Sequence, residues 1–201
     1  MKAKLSSFAA LTICLLFLSS GAFAQNLLTN GSFETGDFTG WIYDCQGPYC
    51  GSYYVGVVSG PAYGISGAED GTYWAYLGNP YTPDATLSQS FTTIAGKWYT
   101  FSFWINAAGD NPSAFSADWD GTAVLNLTNP NTGSTWEKFS FAEEGTGSDT
   151  IQFGFFDYPN VIGLDNVSVT SSVPERSNLA FLLGFGIFNL AAVFGLRRKL
   201  I

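Results

Sequence analysis

The sequence predicts an all-β sandwich. Between Asn26 and Thr170, apolar residues come in short runs split by Gly, Asn, Asp, Ser and Thr. Aromatic residues make up 17% of the chain, and in several runs they fall on alternate positions, the two-residue period of a strand with one buried face. No window in this region carries the i, i+3, i+4, i+7 repeat of an amphipathic helix.

Taken in order, eleven segments read as strands: Leu27–Phe33, Trp41–Tyr43, Tyr53–Val58, Tyr73–Leu77, Thr86–Phe91, Tyr99–Ile105, Phe115–Trp119, Ala123–Leu127, Thr135–Phe141, Thr150–Phe156 and Ile162–Val169. Many short strands at regular spacing are the signature of a sandwich. Tyr99, Phe101, Phe103 and Ile105 fall on one face of their strand, and Trp98, Thr100, Ser102 and Trp104 on the other. Phe139 and Phe141 alternate with Lys138 and Ser140, and Ile151, Phe153 and Phe155 with Gln152 and Gly154. The Phe faces are assigned to the interior, where each buried ring contributes ~2–3 kcal/mol of transfer free energy. Asp120-Gly121 is a two-residue hairpin signal. The stretches Ser59–Gly71 and Ala107–Ser113, rich in small residues and proline, read as loops.

Both ends of the chain read as targeting segments. Residues 1–24 carry Lys2 and Lys4, an apolar run from Phe8 to Leu18 and Ala22-Phe23-Ala24, the pattern of a cleaved signal peptide. The domain is then expected over 25–172. The tail, 173–201, holds eighteen mostly apolar residues from Leu179 to Leu196, followed by Arg197-Arg198-Lys199. As a helix rising ~1.5 Å per residue it would span about 27 Å, close to the ~30 Å hydrocarbon core. The basic end is expected on the cytoplasmic side, which leaves the domain outside.

Fifteen acidic residues stand against two basic ones, Lys97 and Lys138, between Gln25 and Ser172. Such a surface argues against nucleic acid and anionic membrane as partners and is compatible with calcium. The chain has no histidine, which excludes Ser-His-Asp and Cys-His catalysis and histidine metal sites. A carboxylate pair of the glycosidase type is the remaining hydrolytic option, with Asp118 and Asp120, Glu143 and Glu144, or Asp157 and Asp165 as members. A non-catalytic protein is expected instead. Cys14 is lost with the leader. Cys45 and Cys50, separated by Gln46-Gly47-Pro48-Tyr49, read as a disulfide of an exported chain, worth roughly 2 kcal/mol on the chain-entropy model.

The tail, with Val173-Pro174-Glu175, one apolar span and Arg197-Arg198, resembles the PEP-CTERM sorting signal of Gram-negative bacteria. Arg176 stands where that family's Pro-Glu-Pro motif has its second proline. The resemblance implies an exosortase-type enzyme as partner. It also implies export to the outer surface or extracellular matrix by way of an inner-membrane-anchored form, in association with exopolysaccharide or biofilm. The opening of the domain, Asn26-Leu27-Leu28-Thr29-Asn30-Gly31-Ser32-Phe33-Glu34, continuing to Gly36-Asp37-Phe38-Thr39-Gly40-Trp41, is similar to the opening of jelly-roll sandwiches of the carbohydrate-binding modules. The closing stretch Gly163–Val169 resembles their last strand. The jelly-roll fold is what this resemblance implies. So is a structural calcium ion held by Glu34 and Asp165, with Ser32, Asp70 and Thr72 as further oxygen donors. For a glycan, which stacks on exposed rings, the positions to examine are Trp98, Trp104 and the Ser59–Gly71 loop.

Overall fold

The computed structural model describes residues 25–45, 54–80 and 85–172. The leader, Cys50, the sorting motif and the expected membrane span lie outside the described residues. Among the described residues no helix is long and apolar enough to cross a membrane.

Nine strands occur among the described residues: β1 Ile42–Cys45, β2 Val55–Ser59, β3 Tyr73–Asn79, β4 Ala85–Thr92, β5 Trp98–Asn106, β6 Ser113–Trp119, β7 Thr122–Thr128, β8 Glu137–Glu144 and β9 Ser148–Ser171. The long β9 joins everything. Its first half pairs antiparallel with β4 and β6, and its second half with β3 and β5. With β1 on β4, β7 on β6, β2 on β3 and β8 on β5, two five-stranded layers result: β1-β4-β9-β6-β7 and β2-β3-β9-β5-β8. β9 belongs to both.

The alternating aromatic residues fill the space between the layers. Phe101 and Phe103 of β5 meet Phe153 of β9 at ring-centroid distances of 5.9 and 5.0 Å, and Phe103 meets Phe115 of β6 at 5.9 Å. Phe139 and Phe141 of β8 close the layer's edge on Phe103. Asp120 and Gly121 join β6 to β7 with φ of 49° and 73°, the left-handed pair that a two-residue hairpin requires.

Two expectations are corrected. Leu27–Phe33 is not a strand, because Asn30 and Phe33 sit at φ of 53° and 58°, which breaks the pleat. The segment nevertheless lies along β9, with the Leu27 amide donating to the Val169 carbonyl at 2.8 Å and the Val167 amide to the Gly31 carbonyl at 2.9 Å. The segments read separately as Thr150–Phe156 and Ile162–Val169 are one strand whose two halves serve different layers.

The 60–71 loop folds over the outer face of the β3–β9 region and makes a small second core there. Trp74, on the outer side of β3, is completely buried. Its Nε1 donates to the Gly60 carbonyl, and its ring meets Trp136 edge-on at 6.2 Å. Trp136 in turn donates from Nε1 to the Gly67 carbonyl, and Ile65 is buried. A Cβ at Gly163 would come within 2.8–2.9 Å of the ends of Ile65 and Trp136, so the cap lies directly on the strand at this glycine.

Candidate functional site

The opening motif proves to be a brace across the sandwich. The Asn30 side chain donates to the carbonyls of Asp37 and Thr39 and accepts from the Thr35 amide, which closes the turn. Phe33 is fully buried and stacks on Trp41 at 5.6 Å, and Trp41 donates from Nε1 to the Asn30 carbonyl. Glu34 leaves this brace and accepts, through Oε1, the amides of Thr72 and Tyr73, each at 2.8 Å.

Asp165 does matching work from β9. Its Oδ2 accepts the amides of Glu69 (2.8 Å) and Asp70 (3.1 Å), and its Oδ1 accepts the Asn166 amide. Asn166 also donates to Glu69. Four of the five residues expected to hold calcium, Glu34, Asp70, Thr72 and Asp165, are therefore tied to one segment, 69–73; no bond joins Ser32 to them among the contacts described. The two carboxylates staple the base of the loop that covers Trp74. Burial, with the neighbouring Glu69 charge adding to it against the three amides, pushes Asp165 up to about 6. A cation here would have to compete with amides: five amide contacts already fall on three carboxylate oxygens, and among the described residues no three Asp, Glu, Cys or His side chains converge as metal ligands.

The two tryptophans expected to meet a glycan share the outer face of β5. Trp98 is 55% exposed and Trp104 half-buried. Six residues apart on one strand, they stand ~20 Å from each other, with Thr100 and Ser102 between. On the β9 side the register partners are Thr170, Ser168 and Asp165; on β8 they are Glu144, Ala142, Ser140 and Lys138. Residues directly opposite each other share a face, so a hydroxyl-rich floor runs between two indoles. Ser102 and Ser168 hydroxyls are 3.0 Å apart, and those of Thr100 and Ser172 are 3.2 Å apart. Lys138 lies 5.7 Å from the Trp104 ring centre, a cation–π distance. Trp41, Trp74 and Trp119 are core residues. The Ser59–Gly71 loop, expected to meet a ligand, caps Trp74 and is tied through Glu69 and Asp70 to Asp165, the register partner of Trp104.

Of the carboxylates considered for catalysis, Asp118 lies on the outer side of β6, raised by burial, while Asp120 sits in the β6–β7 turn and accepts the Thr150 amide at 2.7 Å. Asp157 and Asp165 occupy opposite halves of β9. Cys45 ends β1 and is disulfide-bonded. Asp157 enters the sequence reading only as one member of a carboxylate pair; what that reading misses is its place on the inward stripe Ile151, Phe153, Phe155, where it is buried. Strict alternation was the signal that could have found it.

No family model and no curated protein matches this sequence. Many solved structures do resemble the fold. One is the module TmCBM61 in complex with β-1,4-galactotriose, with 19% identity, a TM-score of 0.56 and coverage of 74% of this chain and all of that one. A cleaved adhesin domain of Lys-gingipain from Porphyromonas gingivalis has 18% identity and a TM-score of 0.55, covering 71% of this chain and 96% of that one. The enzymatically active domain of a bacteriophage CBA120 tailspike protein has 19% identity and a TM-score of 0.54, but the match spans only 21% of its length. At these identities the likeness is one of fold. The described residues form a jelly-roll sandwich of the type found in carbohydrate-binding modules.

Proposed function

We propose that this protein is an exported, non-catalytic polysaccharide-binding module, displayed at the bacterial surface or released into the matrix through its sorting tail. The observation that carries the binding reading is the outer face of β5, where Trp98 stands exposed and Trp104 shares its side across a floor of hydroxyls. A core placement would hide both rings, as it hides Trp41, Trp74 and Trp119. Indoles stack on the apolar faces of sugar rings while Thr100, Ser140 and Ser168 exchange hydrogen bonds with sugar hydroxyls. The fold's likeness to modules solved with glycans adds support. Affinity electrophoresis against a panel beginning with β-1,4-galactan and xylan tests the proposal. Binding is expected for at least one neutral polysaccharide and is expected to be lost in Trp98→Ala and weakened in Trp104→Ala. Unchanged migration of the wild type on the whole panel, or binding indifferent to both substitutions, overturns it.

Secretion, exosortase recognition and inner-membrane anchoring belong to the same proposal and rest on residues 1–24 and 173–201. The Cys45–Cys50 pairing belongs to it too. A structural calcium ion at Glu34 and Asp165 completes it. Its support is the resemblance of the opening and closing motifs, together with the crowding of Asp165 against Glu69, which a cation would relieve. Calcium should raise the melting temperature over a chelator control, and Glu34→Gln should remove part of that rise.

A further inference from the structure

The inner stripe of β9 begins and ends with a carboxylate. At its start, Asp149 is buried but served by the hydroxyl of Thr93 and by the amide and hydroxyl of Thr146. At its end, Asp157 is 1% exposed and its Oδ1 has no hydrogen-bond partner. Oδ2 of Asp110, in the connection from β5 to β6, is likewise buried without a partner. The two carboxylates are close enough to repel, and with burial as the larger effect this pushes Asp157 up to about 6. Of the polar side-chain atoms left orphaned among the described residues, two are thus carboxylate oxygens of these neighbouring groups.

Buried polar atoms are almost always satisfied, and an uncompensated buried charge costs several kcal/mol. The pair therefore calls for a compensating positive charge, a bound cation or a shared proton. No lysine or arginine among the described residues can supply it: Lys97 and Lys138 lie on the β4–β5 turn and on β8. We propose that Asp110 and Asp157 hold a divalent cation of the calcium type, separate from the Glu34–Asp165 position, at the end of the core where β9 passes from one layer to the other. The chemistry of the donors fixes the class. Two carboxylates neutralise a dication, and with no histidine in the chain the site offers only hard oxygen ligands, which select calcium, magnesium or manganese over zinc or copper. The ion would tie the β5–β6 connection to the corner of β9. Ser113 already brings the two together: its hydroxyl donates to the Asp110 carbonyl at 2.7 Å, and it pairs with Asp157 in register.

This inference does not depend on polysaccharide binding, and calorimetry tests it. Full-length protein stripped with EDTA is titrated with calcium chloride alone, alongside Asp110→Asn, Asp157→Asn and Glu34→Gln. Calcium binding is expected in the wild type, weakened by at least ~10-fold in both Asn variants, in line with what disturbing a metal site costs, with this site retained in Glu34→Gln. Asp110 lies in a partly exposed connection, so Asp110→Asn decides the matter if Asp157→Asn does not fold. Three results would overturn the inference: no calcium binding in the wild type, binding unchanged in Asp110→Asn, or binding lost only in Glu34→Gln. The first would mean that the pair shares a proton instead.

Discussion

Gly31 lies where the opening segment presses on β9, and a methyl group there would run into the Val167 carbonyl and come within 3.0 Å of the Asn26 side chain. Backbone cannot yield as a flexible side chain does, so Gly31→Ala is expected to destabilise the domain by about 1–3 kcal/mol, the usual cost of overpacking, measured by urea unfolding. The Asn-Gly-x-Phe-Glu motif was legible in the sequence as a unit; that its glutamate serves amides of residues 72 and 73 was not, because nothing local marks a contact across 38 residues. A second prediction concerns pH. Asp157 and Asp165 both titrate near 6 in the folded protein against ~3.9 in an unfolded chain. Between those values the native state holds more protons than the unfolded one, so stability falls as pH rises from about 4 to 6. Each group can cost up to about 3 kcal/mol at neutral pH. Urea midpoints of chelator-treated protein should therefore rise as pH is lowered from 7 to 5, and Asp157→Asn should reduce that rise. A flat profile would mean that neither carboxylate is buried charged.

At the scale of elements, period-two patterning revealed the strands best where both edges were paired. β5 was read to within a residue at each end because its Tyr and Phe face the core while Trp, Thr and Ser face out. β9 was read as two strands since Asp157 to Asn160 interrupts the apolar pattern; the backbone nonetheless remains paired through β3 and β6, at Asn79 and Ser113 opposite Asp157. The 60–71 loop was legible as a loop but not as a cap. Its composition is that of any solvent-exposed connection, and the apolar surface it covers comes from residues far away in sequence, Trp136 and Gly163. Trp136→Ala is expected to free this loop: amide exchange should accelerate across 60–71 while the β4, β5 and β6 amides stay protected. Because Trp136 is only partly buried, the loss of stability should fall below the ~3–5 kcal/mol typical of deleting a core aromatic ring. Exchange that rises uniformly through the sandwich would show that the cap is part of the main core instead.

For the molecule as a whole, the excess of fifteen acidic residues over two basic ones between Gln25 and Ser172 bears on which polysaccharide the β5 face can hold. Glu144 stands beside Trp98 in register, Asp165 beside Trp104, and Lys138 is the one basic partner along the strip. A uronate- or sulfate-bearing polymer would meet a surface of its own sign. That repulsion acts over the Debye length, about 10 Å at 0.1 M salt and 3 Å at 1 M, and so weakens as salt is added. A neutral polymer feels none of it and gains from stacking and hydroxyl contacts that salt hardly changes. Binding to a neutral polysaccharide is therefore expected to be nearly independent of ionic strength. Any binding to an acidic one should strengthen with added sodium chloride, and strengthen further with calcium, which can bridge carboxylates of protein and polymer. Affinity electrophoresis at low and high salt, with paired neutral and acidic polymers, measures this. An acidic polymer that binds best at low salt would show that Lys138, beside Trp104, outweighs the acidic excess on this face.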